Sequence, residues 1–510
     1  MRKAAWLEND NLLYVFALTA SLILSFWLSY RETVINPDGI CYLLSAQTVG
    51  TASLKEVIHL CPQSQWPFYS VLIYAVSQAS HFSYTASAYF LNALFSLLSV
   101  TAFILIVKEL GGSKRVLWLS ALVILLNHEF ISMREYIIRD HGFWAFYLAS
   151  LYLLLRYFRE PGLNLALAWS ACLLIATLFR IEGAVFLLSL PFVSLLDFRV
   201  SFRQRLKAFF SLNTPAIVIC MMMAVWLLSH HQQSMNQLGR ISEIINQLQN
   251  GFFMLADRYQ SSRDALVQHV LTSDSESDAG AVLLFVWLAW YLLNVMAALS
   301  WIYGILVIYA WVRKICRFPA NASLVVFGYL AVNLVITLSF LAEHLFLSKR
   351  YLIALTLVLM LWVPFALDYL IRQWTSVRHR LALFIAVFFI FIGTLGGIVD
   401  FGYSKSYIHE AGDWIAENVP ASASLYANDF QLLYYTQHFG TGIFKVLPAY
   451  INIRTIAHGQ WKQYDYVALR IGRNEEGDTA AVLSELGMKP VQVFGNKRGD
   501  KVAIYKIEKG

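Results

Sequence analysis

The chain has 510 residues, of which 58% are hydrophobic, 15% aromatic and only 14% charged. Soluble proteins usually carry about 25% charged residues; the deficit here, spread over many long apolar runs, excludes an ordinary soluble enzyme and indicates a polytopic α-helical membrane protein. The formal net charge of +7 is not a nucleic-acid footprint, because the basic residues sit in short clusters between apolar runs and no separable basic domain exists.

In chain order, "MRKAAWLENDNLLYVFALTASLILSFWLSY" opens like a signal peptide. Its apolar run is longer than an h-region of about 7–15 residues and no small-residue cleavage site follows, so it reads as a retained first span near 11–30. The loop 31–83 contains "VINPDGICYLLSAQ", and residues 40–58 are expected to form a helix lying in the membrane interface. Further spans are expected near 84–107, 116–133, 141–158, 164–180, 183–197, 208–229, 285–312, 319–341, 350–371 and 381–400. The stretch 164–197 must hold two short spans around "LFRIEG". With the N-terminus inside, six basic clusters fall on the cytoplasmic side: Arg2-Lys3, Lys108 with Lys114-Arg115, Arg156 with Arg159, Arg199 to Lys207, Arg313 to Arg317, and Arg372 to Arg380. That agreement supports about eleven transmembrane helices.

Residues 230–280 read as an external helical excursion ending in the acidic "SDSESD". Residues 401–510 change character and read as a small extracytoplasmic α/β domain after a transmembrane domain of 1–400. "SKSYIHEAGDWIAENV" has helical spacing and stops before Pro420; "SLYAND" and "YDYVAL" look like short buried strands. "TAAVLSELG" reads as a helix, and "VQVFGNKRGDKVAIYKI" as a hairpin.

Ionisable residues beside spans are the places to look for chemistry. On the predicted outer side these are Asp38, His128, Glu129, Arg134, Glu135, Arg139, Asp140, His141, Arg180, Glu182, Glu343, His344, Lys349 and Arg350. Arginine and lysine hold phosphate oxygens by charge-assisted hydrogen bonds, and a carboxylate can take a proton from an attacking group. The set therefore suits an anionic substrate and an acid–base step. Taken singly, each also fits a snorkelling or paired span end, and "PDG" is also a good turn. No Walker loop or Rossmann fingerprint is present, which argues against nucleotide use. The adjacent His230 and His231 do not share a helix face, so a metal site there is not expected. Asn321 lies in a glycosylation sequon that the topology puts inside. Cys172, Cys220 and Cys316 fall in or beside apolar runs as packing residues. Cys41 and Cys61 share the first loop and are a candidate disulfide in an oxidising compartment, although spacing alone does not establish the geometry.

The order of these features resembles the bacterial membrane glycosyltransferases related to dolichyl-phosphate-mannose protein mannosyltransferases and the lipid A aminoarabinose transferase, which share the GT-C fold. The resemblance rests on Asp38 with Tyr42 and Ala46, "WPFYSVLIYAVS", "MREYIIRDHGFWAFYLASLYLLLRYF", "LFRIEGAVFLL", "KRYLIALTLVLMLWVPFAL" and "AGDWIAENVPASASLYANDFQLLYY". It touches most of the chain apart from 208–340. It implies sugar transfer from a polyprenyl phosphate to an acceptor lipid, glycan or protein at the outer face of the bacterial inner membrane, with inversion and without a nucleotide. Asp38 would activate the acceptor and Asp140 would help to hold donor or acceptor. Arg139, Lys349 and Arg350 would clamp the leaving phosphate, with Tyr42, Arg180, Glu182, Glu343 and His344 as further substrate-binding candidates. No cofactor is expected, and a divalent metal is left open. Two departures stand out. The family often has Asp-Glu in the first loop where this chain has Asp-Gly, and commonly has Glu where this chain has Asp140, which leaves Glu135 as a rival. An O-antigen-type polymerase or ligase is the nearest alternative, and a lipid or glycan transporter the alternative from another class.

Overall fold

The computed structural model describes residues 10–31, 34–229, 240–399, 401–436, 460–473 and 487–507. Arg2-Lys3, His230-His231 and residues 479–486 of the expected tail helix lie outside the described residues. The rest is mostly helical, as long apolar runs must be when their backbone groups have to be satisfied internally.

Among the described residues six helices are long and apolar enough to cross a membrane. They are Asp10–Arg31, Tyr84–Glu109, Ser273–Ala298, Ala320–His344, Lys349–Arg372 and Val377–Ile398. A bent pair, Lys114–Leu125 with His128–Glu135 at 55°, makes a seventh if it is one span. Asn127 causes the restart, since its Oδ1 accepts the Phe130 N–H at 2.9 Å as an N-cap. The apolar run 285–312 is likewise two helices, ending at Ala298 and restarting at Ile302. Ser300 and Trp301 between them have left-handed φ of 62° and 41°. The expected short elements around "LFRIEG" are present as apolar helices Leu163–Phe179 and Glu182–Leu196.

Two compact units emerge. The first comprises Met1–Trp27, Tyr89–Arg134 and Arg139–Val399. Polar side chains pin its apolar helices. Arg134 is buried and donates to the Ser21 carbonyl at 3.0 Å and to the hydroxyls of Ser21 and Ser25 at 2.9 Å. Asp368 takes both Arg115 and, at 2.8 Å, Arg372.

The second unit comprises Leu28–Ala88, Glu135–Ile138 and Asp400–Gly510. Its sheet has the order β1 (Leu425–Ala427), β2 (Tyr466–Ile471), β4 (Lys501–Lys506), β3 (Gln492–Gly495). β1 runs parallel to β2, and β4 antiparallel to both neighbours. Alternation sorts the side chains. Leu425, Ala427, Ala468, Val502 and Ile504 pack with helix Ser406–Asn418, while Tyr426, Val467, Leu469, Ala503 and Tyr505 form the other face with Trp461. Val34 of the first loop joins the former cluster. The expected interfacial helix over 40–58 is instead two helices, Pro37–Val49 and Leu54–Ile58. Residues Gly39 to Ala46 are buried rather than lying on a surface. Ile40 and Leu44 pack there with Leu60, Phe430 and Tyr434. Cys41 and Cys61 are disulfide-bonded, with Cα atoms 6.2 Å apart.

Candidate functional site

In the first unit the site is built where helices Asp140–Arg159 and Leu163–Phe179 meet, three residues apart in sequence. Gly142 allows the approach: a Cβ there would stand 2.4 Å from the Phe179 ring. Phe179 is therefore seated against the start of the first helix, and the next residue, Arg180, reaches Asp140. One arm of the Arg180 guanidinium pairs with Asp140. The other pairs with Glu182, whose Oε1 also accepts from Arg180 Nε at 3.2 Å. The guanidinium carbon lies 4.8 Å from the Tyr351 ring centre and 5.9 Å from that of Phe143. Arg350 sits 5.1 Å over the same Tyr351 ring and donates to its hydroxyl at 3.1 Å.

A small cleft opens here, lined by Arg180, Glu182, Arg350, Tyr351, Asn333 and Thr337 among apolar and aromatic side chains. Asp140 is buried and is joined to the cleft through Arg180. The charges of Arg139 and Arg350 also act on Asp140, and that of Arg139 on Glu182. Arg139 Nη1 is buried with no hydrogen-bond partner among the described residues. Three guanidiniums against two carboxylates leave one excess positive charge in a shielded place. Such an arrangement suits a singly charged phosphodiester.

The other sequence candidates in this unit do not line the cleft. Lys349 pairs with Glu129 at 2.5 Å, and His128 contacts the Gly393 carbonyl at 2.9 Å. Glu343 and His344 lie 3.9 Å apart at the end of helix Ala320–His344 and do not line the cleft. His141 contacts the Met133 carbonyl at 3.0 Å and packs edge-on against Trp144. In the second unit Asp38 stands in the first turn of helix Pro37–Val49 and accepts from Gln63 Nε2 at 2.8 Å. Tyr42 is buried, edge-on to Tyr69. Glu135, the rival acid, pairs with Arg31. Among the described residues no group of three or more His, Cys, Asp or Glu is placed to hold a metal ion.

Charge-led reading of the sequence missed Asn333, Thr337 and Gln63. The signal for the first two was available: they are polar residues four apart in the apolar "VNLVITLSF", and so lie on one face of a membrane helix.

The family model described as dolichyl-phosphate-mannose-protein mannosyltransferase matches residues 70–181. The archaeal oligosaccharyltransferase AglB from Archaeoglobus fulgidus, in complex with an inhibitory peptide and a dolichol-phosphate, superposes with a TM-score of 0.54 at 11% identity, over 90% of this chain and 69% of its own. ArnT from Cupriavidus metallidurans bound to undecaprenyl phosphate superposes with a TM-score of 0.52 at 14% identity, over 96% of this chain and 97% of its own. The chain has the GT-C glycosyltransferase fold. No curated protein sequence matches it significantly. What this GT-C chain shares with the two enzymes at such identities is the fold. The span 70–181 that fits the mannosyltransferase model includes Arg139, Asp140 and Arg180.

Proposed function

We propose that the protein is an integral-membrane glycosyltransferase that moves a sugar from a polyprenyl phosphate to an acceptor at the outer face of the bacterial cytoplasmic membrane. The observation that carries this reading is the cleft in which Arg180 is fixed by Asp140 and Glu182 beside Arg350. The two carboxylates hold the Arg180 guanidinium in place, and the excess positive charge, preorganised for a phosphate, comes from Arg350 and Arg139 beside it. The solved relatives with this fold were captured with dolichol-phosphate and undecaprenyl phosphate, which supports the same class of donor here.

In the proposed reaction an acceptor O–H or N–H gives its proton to Asp38 as the acceptor atom bonds to the anomeric carbon. The bond from that carbon to the phosphate oxygen breaks, and its electron pair leaves on the polyprenyl phosphate. One displacement inverts the anomeric centre. The departing phosphate gains a negative charge, which Arg180, Arg350 and Arg139 would stabilise more strongly than the starting diester. That difference is what accelerates a reaction. The assignment of Asp38 rests on the first-loop resemblance. The outer-face orientation, with the N-terminus cytoplasmic and residues 401–510 outside, rests on the basic clusters. The Cys41–Cys61 disulfide supports it too, since disulfides persist in oxidising compartments.

The test is transfer of radiolabelled sugar from a panel of undecaprenyl-phosphate sugars into membrane glycolipids and glycoproteins by the purified protein. Asp38→Asn should abolish transfer with expression and thermal stability retained; near-normal turnover would sink the assignment of the base.

A further inference from the structure

The cleft contains a polar atom with no assigned task. Asn333 is 3% exposed and sits mid-way along helix Ala320–His344. Its Nδ2 donates to Tyr147 Oη at 2.5 Å and to the Tyr329 carbonyl at 2.8 Å. A side-chain amide has two hydrogens, and both are spent. A backbone carbonyl only accepts, so the nitrogen must face Tyr329 and the amide has one orientation. The carbonyl end, Oδ1, has no partner among the described residues, although Asn333 lines the cleft.

The surroundings hold that atom still. Tyr147 packs at 5.3 Å edge-on to Tyr329 and at 5.0 Å to Phe186. Tyr329 Oη bonds to Ser150 Oγ at 2.8 Å and accepts from Trp169 Nε1 at 3.2 Å. One turn on, Thr337 Oγ1 donates to the Asn333 backbone carbonyl at 2.7 Å. A buried polar network of this kind at membrane depth is expensive unless satisfied. Here the Asn333 amide hydrogens, the Trp169 N–H and the Thr337 hydroxyl all have acceptors, and the Asn333 Oδ1 acceptor is left over.

We propose that Asn333 Oδ1 is a recognition point for a hydroxyl of the donor's sugar, in the same cleft as the arginines that take its phosphate. This rests on the phosphate reading given above. A hydrocarbon tail against Oδ1 would leave a buried carbonyl unpaired, and an anionic oxygen would repel it. A sugar hydroxyl supplies the O–H that it lacks. The phosphodiester linkage places the sugar next to the phosphate, so the cations and Oδ1 would read the two halves of one headgroup.

The experiment uses the full-length protein in nanodiscs with three probes: undecaprenyl phosphate, undecaprenyl-phosphate mannose, and the monodeoxy forms of the latter. Asn333→Thr keeps a hydroxyl able to donate to the Tyr329 carbonyl, as Thr337 does to residue 333, and removes Oδ1. Asn333→Ser is the second variant for the same reason. Each should lose roughly 10-fold in affinity for the mannosyl lipid and stay within about 2-fold for the bare lipid phosphate. One monodeoxy probe should lose a similar factor on the native protein and nothing further on the variants. Equal weakening of both lipids, or of neither, would overturn the proposal. Arg350→Gln should weaken both lipids. If it leaves the bare lipid unaffected, the phosphate reading itself fails, an outcome distinct from loss of Asn333 selectivity alone.

Discussion

Ile35 is held by Tyr435: the Ile35 N–H donates to the tyrosine hydroxyl at 2.8 Å. The Ile35 carbonyl accepts from Gln431 Nε2 at 2.7 Å, so one short helix, Phe430–Tyr435, takes both polar groups of a residue three before Asp38. Arg470 on β2 donates to Gln431 Oε1 at 3.1 Å and pairs with Asp429 at 2.6 Å. The C-terminal segment thus sets the path of the first loop. Tyr435→Phe and Gln431→Leu each remove one such bond, with an expected stability cost of about 1 kcal/mol. If the clasp positions Asp38, kcat should fall while the donor KM stays near its native value. A lowered Tm with unchanged turnover per folded molecule would make the clasp purely structural.

Gly39 follows Asp38 where the first-loop resemblance leads one to expect a glutamate. A Cβ at this position would lie 2.7 Å from Asn36 Oδ1 and 3.0 Å from Ile137 Cβ. Asn36 cannot readily give way, because its Oδ1 accepts the Ile137 N–H at 2.9 Å and its Nδ2 faces the Ile137 carbonyl at 3.3 Å. Gly39→Glu, which restores the common pair, should therefore destabilise by about 1–3 kcal/mol rather than help. A thermal melt of the variant equal to the native one would show that the Asn36–Ile137 bridge moves aside at little cost.

Much of this was legible in the residues. The apolar runs marked the helices, alternation marked the C-terminal strands, and "LFRIEG" marked the pair Arg180–Glu182. What was not legible depended on three-dimensional neighbours. Nothing in the sequence ties Arg180 to Asp140, because the pairing needs Gly142 to admit Phe179. Lys349 looked equivalent to Arg350, yet adjacent residues on a helix point about 100° apart. Lys349 meets Glu129, and Arg350 the cleft. The break at Ser300–Trp301 carries neither Gly nor Pro, so composition could not announce it.

The Cys41–Cys61 bridge joins helix Pro37–Val49 to the turn Pro62–Gln65 that carries Gln63, the partner of Asp38. Closing a loop of this length stabilises by about 2–4 kcal/mol. Cys41→Ser with Cys61→Ser should lower Tm accordingly and reduce turnover. Thiol labelling without reductant should modify neither cysteine in the native protein extracted from membranes. Labelling of both would show the thiols reduced, and would remove the support that the bridge gives to an outer-face loop.

Arg180 and its two carboxylates separate structure from function most sharply. Arg180→Met removes the cation from buried Asp140 and from Glu182, and stranding buried charges costs about 3–5 kcal/mol. Low activity in that variant alone would therefore say little. The triple change Arg180→Met, Asp140→Leu, Glu182→Gln removes the stranded charges together with the cation. Replacing a buried ion network by apolar groups is often neutral or stabilising, so the triple variant should recover most of the lost Tm. It should not recover native binding of undecaprenyl phosphate, because the positioned Arg180 guanidinium is gone, even though Arg139 and Arg350 then stand without those two opposing carboxylates. Recovery of both stability and binding would show the cluster to be a strut of the helix bundle, with the phosphate held by other residues.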